Sequence, residues 1–66
     1  MEVIINGEVQ HFPDNTHILD MVHLLFLEGR RIAIEINGEV IPRSQYPARR
    51  LQDNDKIEII RAVGGG

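Results

Sequence analysis

Two Asn-Gly pairs lie between short runs of β-branched residues, and each pair predicts a β-hairpin. Asn-Gly favours the positive φ angles that both central residues of a type I′ turn require. The first pair is Asn6-Gly7 and the second is Asn37-Gly38. Around these turns the alternation of apolar and polar positions predicts strands over residues 1–6, 8–12, 32–36 and 40–41, and Pro42 ends the last of them.

Between the hairpins, apolar residues recur at the spacing of an α-helix. The pattern predicts a helix over residues 17–28, with the Thr16 hydroxyl capping its start and Gly29 stopping it. Asp20 and Glu28 lie off the apolar stripe. The stripe, which we expect to lie across a sheet, consists of Ile18, Leu19, Val22, Leu25 and Phe26, broadened by Met21 and Leu24.

The last third of the chain predicts irregular surface followed by one more strand. Residues 43–52 show no period, with Leu51 as the expected anchor in the core. Asp53-Asn54-Asp55 predicts a turn, and residues 56–61 predict the final strand. This order of elements predicts a two-layer α+β fold, a mixed sheet of four to five strands with one main helix. With the first and last strands side by side in the centre, this is the β-grasp (ubiquitin-like) fold.

The alternation also leaves apolar residues on the side of the sheet that the helix does not cover. Ile4, Ala33 and Ile60 point to this open side, among charged residues. If the first and last strands pair, we expect Ile4 and Ile60 to be adjacent. An apolar patch rimmed by charge is typical of a protein docking site, and we predict one from Ile4, Ile60, Arg61 and Val63. Isolated exposed apolar residues are also ordinary, so this alternative stays open.

Composition narrows the classes of function. Ten acidic and seven basic residues give a net charge of −3, which argues against nucleic acid or an anionic membrane as the partner. The chain has no cysteine, which excludes a disulfide, a thiolate-bound metal and a thiol nucleophile. The apolar stretch Leu24–Leu27 is far shorter than the roughly 18 residues of a membrane span. Met1-Glu2 begins no secretory signal, so the expected location is the cytoplasm.

The glycines at residues 64–66 form the most informative segment. We expect residues 1–63 to form the β-grasp domain and residues 64–66 to form a flexible tail. Without Cβ atoms, Gly64 and Gly65 fit a channel too narrow for ordinary side chains, and they carry the Gly66 carboxylate roughly 10 Å beyond the domain. A frayed terminus or a linker without function is the alternative.

A carboxylate at the end of such a tail is a poor acyl donor, because it is ionised at pH 7 and resists nucleophilic attack. It must first be activated, most simply as an acyl-adenylate that a partner enzyme makes from ATP and Mg²⁺. The tail lacks the Lys and Ser/Thr of a phosphate-binding loop, so the activating machinery is expected on the partner. Arg61 directly precedes the tail and is expected to orient it on a partner through paired hydrogen bonds.

Three segments resemble the small sulfur carrier of thiamin biosynthesis, the ThiS family. They are Asn37–Tyr46 (NGEVIPRSQY), Asp53–Ile60 (DNDKIEII) and Ala62–Gly66 (AVGGG). The resemblance covers essentially the whole chain. One departure is Asn54, where the family commonly has glycine. Because asparagine tolerates a positive φ angle, we expect the turn to persist.

The resemblance implies a carrier rather than an enzyme, with no bound cofactor of its own. An adenylating enzyme related to ubiquitin activators would use ATP and Mg²⁺ to convert the Gly66 carboxylate to an acyl-adenylate. Sulfur that derives indirectly from a cysteine desulfurase would displace AMP and leave a thiocarboxylate. Thiazole synthase would then accept that sulfur. Neither nucleic acid nor a membrane is implied as a partner.

Three other functions stay open at this point. A molybdopterin-type sulfur carrier shares the fold and the Gly-Gly end. A ubiquitin-like protein modifier would join Gly66 to lysines of other proteins, and Lys56 is the only lysine that this chain offers for joining copies to each other. A passive interaction domain would carry an inert tail.

The remaining polar residues suggest no second chemistry. His11, His17 and His23 lack the i, i+4 spacing of a helical zinc site, and no metal is expected. Arginines at 30–31, 43 and 49–50 predict either a basic patch for an acidic partner or ordinary solvated side chains, and the second interpretation is favoured.

Overall fold

Five strands form one mixed sheet, and a single helix crosses one of its faces. The computed structural model describes residues 1–61. The strand order is β2-β1-β5-β3-β4, and a short 3₁₀ turn (Arg43–Gln45) lies in the segment predicted to be irregular. The strand bounds agree with the predicted ones to within one residue. The elements are β1 (Glu2–Ile5), β2 (Glu8–His11), α1 (Ile18–Leu24), β3 (Ile32–Ile36), β4 (Glu39–Ile41) and β5 (Lys56–Arg61).

The central pair of strands confirms the predicted architecture. β1 and β5 run parallel, with Ile4 opposite Lys56 and Ile5 opposite Ile57. On its other side β5 runs antiparallel to β3, with Ile36 opposite Ile57 and Ile34 opposite Ile59. The two hairpins then add β2 and β4 as the outer strands. The α+β arrangement of two layers expected from the order of elements is therefore present.

Both Asn-Gly turns hold the central strand as well as closing their hairpins. Asn6 and Asn37 have φ angles of 49° and 52°, as type I′ turns require. The side-chain oxygen of Asn6 accepts from the Ile59 N–H at 2.8 Å, and its amide donates to the Ile59 carbonyl at 3.2 Å. Asn37 accepts from the Lys56 N–H at 3.0 Å and donates to the Asp55 carboxylate at 3.0 Å. An aspartate in either turn would lack the donor.

The core lies between the helix and the covered face of the sheet. Alternate residues of β1, β3 and β5 meet the buried face of α1, and the predicted anchor Leu51 is buried with them. Tyr46 and Ile41 close the core on the side of β4. The fully buried side chains are Val3, Ile18, Met21, Ile34, Ile36 and Ile57. Five of these six are β-branched, because most of the core is supplied by strands.

The helix ends four residues earlier than the sequence predicts. α1 stops at Leu24, and Phe26 takes a left-handed conformation with a φ angle of 58°. The Phe26 N–H donates to the His23 carbonyl at 3.1 Å and the Leu27 N–H to the Val22 carbonyl at 2.9 Å, which is the Schellman pattern of a helix end. The prediction that Gly29 stops the helix is therefore wrong.

This early end changes which apolar residues face the core. Phe26 was predicted on the buried stripe but is 85% exposed, and Leu24 is also exposed. Leu27 is buried instead, because the turn at Phe26 directs the chain back toward the sheet. Helical periodicity does not detect this exchange, since it assumes that the helix continues.

The start of the helix also differs from the prediction. The Thr16 hydroxyl donates to the Pro13 carbonyl at 2.6 Å, and His17 is the capping residue. The first helical N–H groups donate to backbone carbonyls of residues 46–49. The Ile18 N–H donates to the Arg49 carbonyl at 2.9 Å, and the Leu19 N–H donates to the Tyr46 carbonyl at 3.0 Å. This long-range capping leaves no periodic signal in the helix sequence.

Asp20 contributes to the same helix start. Its carboxylate accepts a hydrogen bond from the His17 N–H at 2.9 Å. This bond, together with the nearby His17 side chain, lowers the pKa of Asp20 below its usual range. An acidic side chain in the first helical turn also matches the positive end of the helix dipole.

Replacing Phe26 with glycine is expected to stabilise the protein. A side chain in the left-handed region costs roughly 1–2 kcal/mol, and the exposed Phe26 ring recovers little of this cost by burial. We expect Phe26→Gly to raise the free energy of unfolding by about 1 kcal/mol, measured by urea titration. The matched control Leu24→Gly is exposed but helical, and we expect it to lower that free energy by about 1 kcal/mol. A Phe26→Gly variant no more stable than the parent would contradict this explanation.

Candidate functional site

The side of the sheet that α1 leaves uncovered, called the open face here, combines exposed apolar residues with charges. The strand register defines its cross-strand neighbours. One row crosses β2, β1 and β5 and consists of Val9, Ile4 and Lys56. A second crosses β5, β3 and β4 and consists of Glu58, Glu35 and Val40. The third, at the end of β5, pairs Ile60 with Ala33 of β3.

The expected contact between Ile4 and Ile60 is wrong, although their strands do pair. Lys56 stands opposite Ile4, so Ile60 is four residues further along β5. At about 3.3 Å per residue this separation is roughly 13 Å. Alternation along the strands correctly predicts which face each residue occupies, but it leaves the offset between parallel strands undetermined. Backbone bonds from the Ile4 N–H to the Asp55 carbonyl and from the Asn6 N–H to the Ile57 carbonyl carry that offset, and the Asn6 side chain adds its bonds to Ile59.

Arg61 does not lie on the open face with Ile60. Arg61 pairs with Ile32 in the antiparallel register. Both belong to the face of the sheet that α1 covers, together with Ile34 and Ile59. Arg61 is exposed at the end of the described part of β5. The remaining predicted site residues, Val63 and the glycines at 64–66, lie outside the described residues.

Two valines belong to the open face but were not predicted there. Val9 stands opposite Ile4, and Val40 stands opposite Glu35; they are 55% and 64% exposed. A signal for both was present in the sequence. A two-residue turn at Asn6-Gly7 pairs residue 5 with 8 and therefore 4 with 9, and the second turn pairs 35 with 40 in the same way.

The middle of the open face carries two carboxylates directly opposite each other. Glu35 on β3 pairs with Glu58 on β5. Like charges at such cross-strand positions destabilise a sheet. None of the ion pairs found within residues 1–61 involves either glutamate. A basic group from a partner would relieve this repulsion.

The three histidines are separate from one another, and each lies beside one carboxylate. His11 is 3.3 Å from Glu2, His17 is 3.4 Å from Asp20 and His23 is 3.4 Å from Glu28. Within residues 1–61, no three or more metal-ligating side chains are arranged to hold an ion. In the same part of the chain, no helix has the length and apolar character to cross a bilayer.

The strand order, the central parallel pair and the single crossing helix define a ubiquitin-like β-grasp protein. The sequence pattern of the ThiS family matches residues 3–66. The chain belongs to the ThiS family.

Relatives and solved structures agree with this assignment. The sulfur carrier protein ThiS of Bacillus subtilis is 36% identical over 63 residues, which are 94% of this chain and 96% of that protein. A thiazole synthase of Paramagnetospirillum magneticum is 35% identical over 66 residues, and the chain spans only 20% of its length. The crystal structure of the thiamine biosynthesis protein (ThiS) from Geobacter metallireducens superposes with a TM-score of 0.85 at 25% identity, covering 100% of both chains.

Proposed function

We propose that this protein is a sulfur carrier of thiamin biosynthesis and that Gly66 is the residue that carries the sulfur. The observation that supports this most directly is the extent of the family match, which runs from residue 3 through Gly66 and so includes the glycine tail. The β-grasp domain presents the tail, and Gly64 and Gly65 provide a segment without side chains that passes through a narrow channel of a partner.

The chemistry that we propose takes place on partner enzymes. An adenylating enzyme joins the Gly66 carboxylate to the AMP part of ATP, with Mg²⁺, and pyrophosphate leaves. A persulfide, supplied indirectly by a cysteine desulfurase, adds to the acyl carbon through its outer sulfur, and AMP leaves. A thiol then cleaves the acyl disulfide, which releases the thiocarboxylate and leaves the thiol oxidised in a disulfide. The chain itself has no cysteine, so the sulfur travels on the terminal carbonyl carbon. The protein is a co-substrate in this scheme, not a catalyst.

Thiazole synthase is the proposed acceptor of the sulfur. Support comes from thiazole synthases of Paramagnetospirillum magneticum and Magnetococcus marinus, in which a stretch of about a fifth of the protein is similar to this whole chain. A carrier-like sequence and a thiazole synthase are thus parts of one polypeptide in those proteins. Joining two components in this way raises their effective concentration toward each other.

Mass spectrometry of the intact protein tests this function. Co-expression with the adenylating enzyme and a sulfur source is expected to make the protein heavier by the difference between one sulfur and one oxygen atom. Addition of thiazole synthase with its substrates is expected to return the original mass. Adducts linked to lysines of other proteins would support a protein modifier instead. If the protein gains sulfur but thiazole synthase does not remove it, a molybdopterin-type carrier is favoured. If the mass does not change although the activating enzyme and sulfur source are active, the tail is inert.

We also propose that the open face docks these partners. Ile60 and Ala33 offer an apolar contact at the C-terminal end of β5. Ile4 and Val9 offer a second apolar contact, and the acidic pair of Glu35 and Glu58 lies between the two. Arg61 then approaches the partner from the other side of the same strand, and Val63 leads from it toward the tail.

Introducing a charge at Ile60 is expected to weaken partner binding while the domain remains folded. Ile60 is 51% exposed, so Ile60→Glu costs little buried area in the free protein. In calorimetric titration with the adenylating enzyme, we expect the Kd to rise about tenfold or more. The control Leu24→Glu changes an equally exposed residue on the helix layer and should bind as the parent does. Equal Kd values for all three proteins would refute docking through the open face.

A further inference from the structure

A small apolar cleft with a basic rim lies on the helix side of the molecule, away from the open face. It is enclosed by the end of α1, the loop that leads into β3, and the segment that follows β4, and its volume is about 160 Å³. Its apolar lining comes from Leu19, Val22, Leu27, Ile32 and Tyr46. We call it the arginine cleft, because Arg30 and Arg43 stand at its rim.

The charges at the rim are unbalanced in favour of positive groups. Arg43 is within 3.5 Å of the Arg30 carbonyl oxygen through its Nη2 atom. His23 and Glu28 also line the cleft, and they form a pair at 3.4 Å. Among residues 1–61, none of the ion pairs involves an arginine. The rim of a protein with a net charge of −3 therefore presents two guanidinium groups against a single carboxylate that already faces an imidazole.

The apolar side chains that line the cleft are buried or partly buried, whereas Arg30 and Arg43 at its rim are exposed. Burial raises the pKa of Tyr46 above its usual value, although the positive charge of Arg43 acts in the opposite direction. Tyr46 and Leu27 are buried, and Leu19 and Ile32 are partly buried against the core.

The size of the cleft restricts what can occupy it. Sites for cofactors and other organic ligands usually measure roughly 300 Å³ or more. An apolar cavity of about 150 Å³ is known to hold one benzene molecule. The arginine cleft therefore has room for one aromatic or branched aliphatic side chain, with carboxylates beside that side chain in reach of the rim.

The location of the cleft relates it to the part of the chain that precedes the tail. Ile32 lines the cleft and is the cross-strand partner of Arg61, and both side chains belong to the covered face of the sheet. A protein that handles the residues after Arg61 approaches this end of the sheet and so comes close to the cleft.

We propose that the arginine cleft is an anchor site for an acidic segment of a partner protein. One large apolar side chain of that segment enters the cleft, and flanking carboxylates pair with Arg43 and Arg30. Carboxylates suit arginine because two N–H groups of one guanidinium can donate to both oxygens. The inference is independent of the chemistry proposed for Gly66, because neither the cleft nor its rim includes the tail.

Titration of the isotopically labelled protein with synthetic peptides, followed by NMR, tests the proposal without any partner enzyme. The probe is acetyl-Glu-Phe-Glu-amide. Its control peptides replace the phenylalanine with alanine or both glutamates with lysine. We expect saturable shifts at Leu27, Ile32 and Tyr46 for the probe, with a Kd about fivefold lower than for either control peptide.

Matched variants separate the cleft from a general attraction to positive charge. Arg43→Glu is expected to raise the Kd of the probe about fivefold or more. Arg50→Glu makes the same charge change at an exposed arginine beside Asn15, at the other end of the helix, and should leave the Kd unchanged. A probe that shifts no cleft residue, or that binds both variants equally, overturns the proposal.

A second set of ligands identifies the kind of occupant. Free 3-phenylpropionate carries the same ring and a carboxylate without a peptide. If it binds as tightly as the probe, the cleft is a site for small carboxylates and the proposed protein segment is wrong. Equal binding of the lysine-flanked peptide would show that the rim has no selectivity for acid and would also overturn the proposal. These results leave the mass test of Gly66 unaffected, so the two proposals fail separately.

Discussion

Adding one alanine after Gly66 is expected to abolish thiocarboxylate formation. The extra residue moves the terminal carboxylate by about 3.5 Å and places a methyl group where the tail had none. A displacement of 1 Å at a reacting group already costs roughly 100-fold in rate. We therefore expect at least this loss in the rate of sulfur addition, measured by intact mass during co-incubation with the adenylating enzyme, ATP and a sulfur source.

Two controls accompany the extended variant. An alanine placed before Met1 adds the same mass at the other end and should leave the rate unchanged. The thermal unfolding midpoint of the extended variant should equal that of the parent, because the core within residues 1–61 is already built from side chains between Val3 and Ile57. Normal sulfur addition to the extended protein would refute the requirement that the chain end at Gly66. A lowered midpoint would show that the tail has a structural role.

Truncating Ile57 is expected to produce the largest loss of stability. Ile57 is 1% exposed in the central strand and is opposite both Ile5 and Ile36. Ile57→Ala removes buried methyl groups and leaves a cavity, which costs about 2–5 kcal/mol. A domain of this length is stable by only about 3–10 kcal/mol, so we expect a large share of the variant to be unfolded at 37 °C.

Urea titration followed by circular dichroism measures this loss, and Ile60→Ala is its control. Ile60 lies on the same strand but on the open face, where it is half exposed, so we expect its truncation to cost less than about 1 kcal/mol. Similar losses for the two variants would mean that the covered face of β5 is not the main packing surface.

Local signals in the sequence were sufficient for most of the fold. Asn6-Gly7 and Asn37-Gly38 predicted both hairpins because their conformational preference is a property of the dipeptide itself. The bounds of β3 and β5 also match, since alternation along a strand is determined by one buried face. Leu51 was predicted as an anchor because it is an isolated leucine in a polar segment, and it is buried.

Features that depend on contacts distant in sequence were not predicted. The end of α1 at Leu24 follows from the burial of Leu27, and its start follows from carbonyls of the 46–49 segment. The offset between β1 and β5 is carried by backbone bonds between the two strands and by the Asn6 amide, which reaches a residue 53 positions away. The separation of Ile4 from Ile60 is a consequence of this offset. The position of Arg61 on the covered face follows from strand parity alone, so alternation within β5 could have predicted it.

For the candidate site too, local sequence patterns predicted some features and missed those that depend on distant contacts. The open face as a location was predicted from alternation, and Val9 and Val40 were within reach of the same reasoning through the hairpin register. The glycine tail indicated an activated carboxylate at Gly66, and the resemblance to the ThiS family added that this group carries sulfur. A basic patch that includes Arg30 and Arg43 was considered from the sequence, and the solvated alternative was favoured. The cleft between these arginines was not predicted, because residues 19–32 and 43–47 meet only in the folded chain.

The position of β5 in the middle of the sheet has a mechanical consequence. This strand continues directly into the residues that partner enzymes would grip, and it is hydrogen-bonded to β1 on one side and to β3 on the other. A pull transmitted through Arg61 acts along the strand, so the bonds on both sides must shear together before the strand can slide. If partner enzymes act on Gly66 as proposed above, this arrangement would let the domain resist tension while its end is drawn into an enzyme and released again.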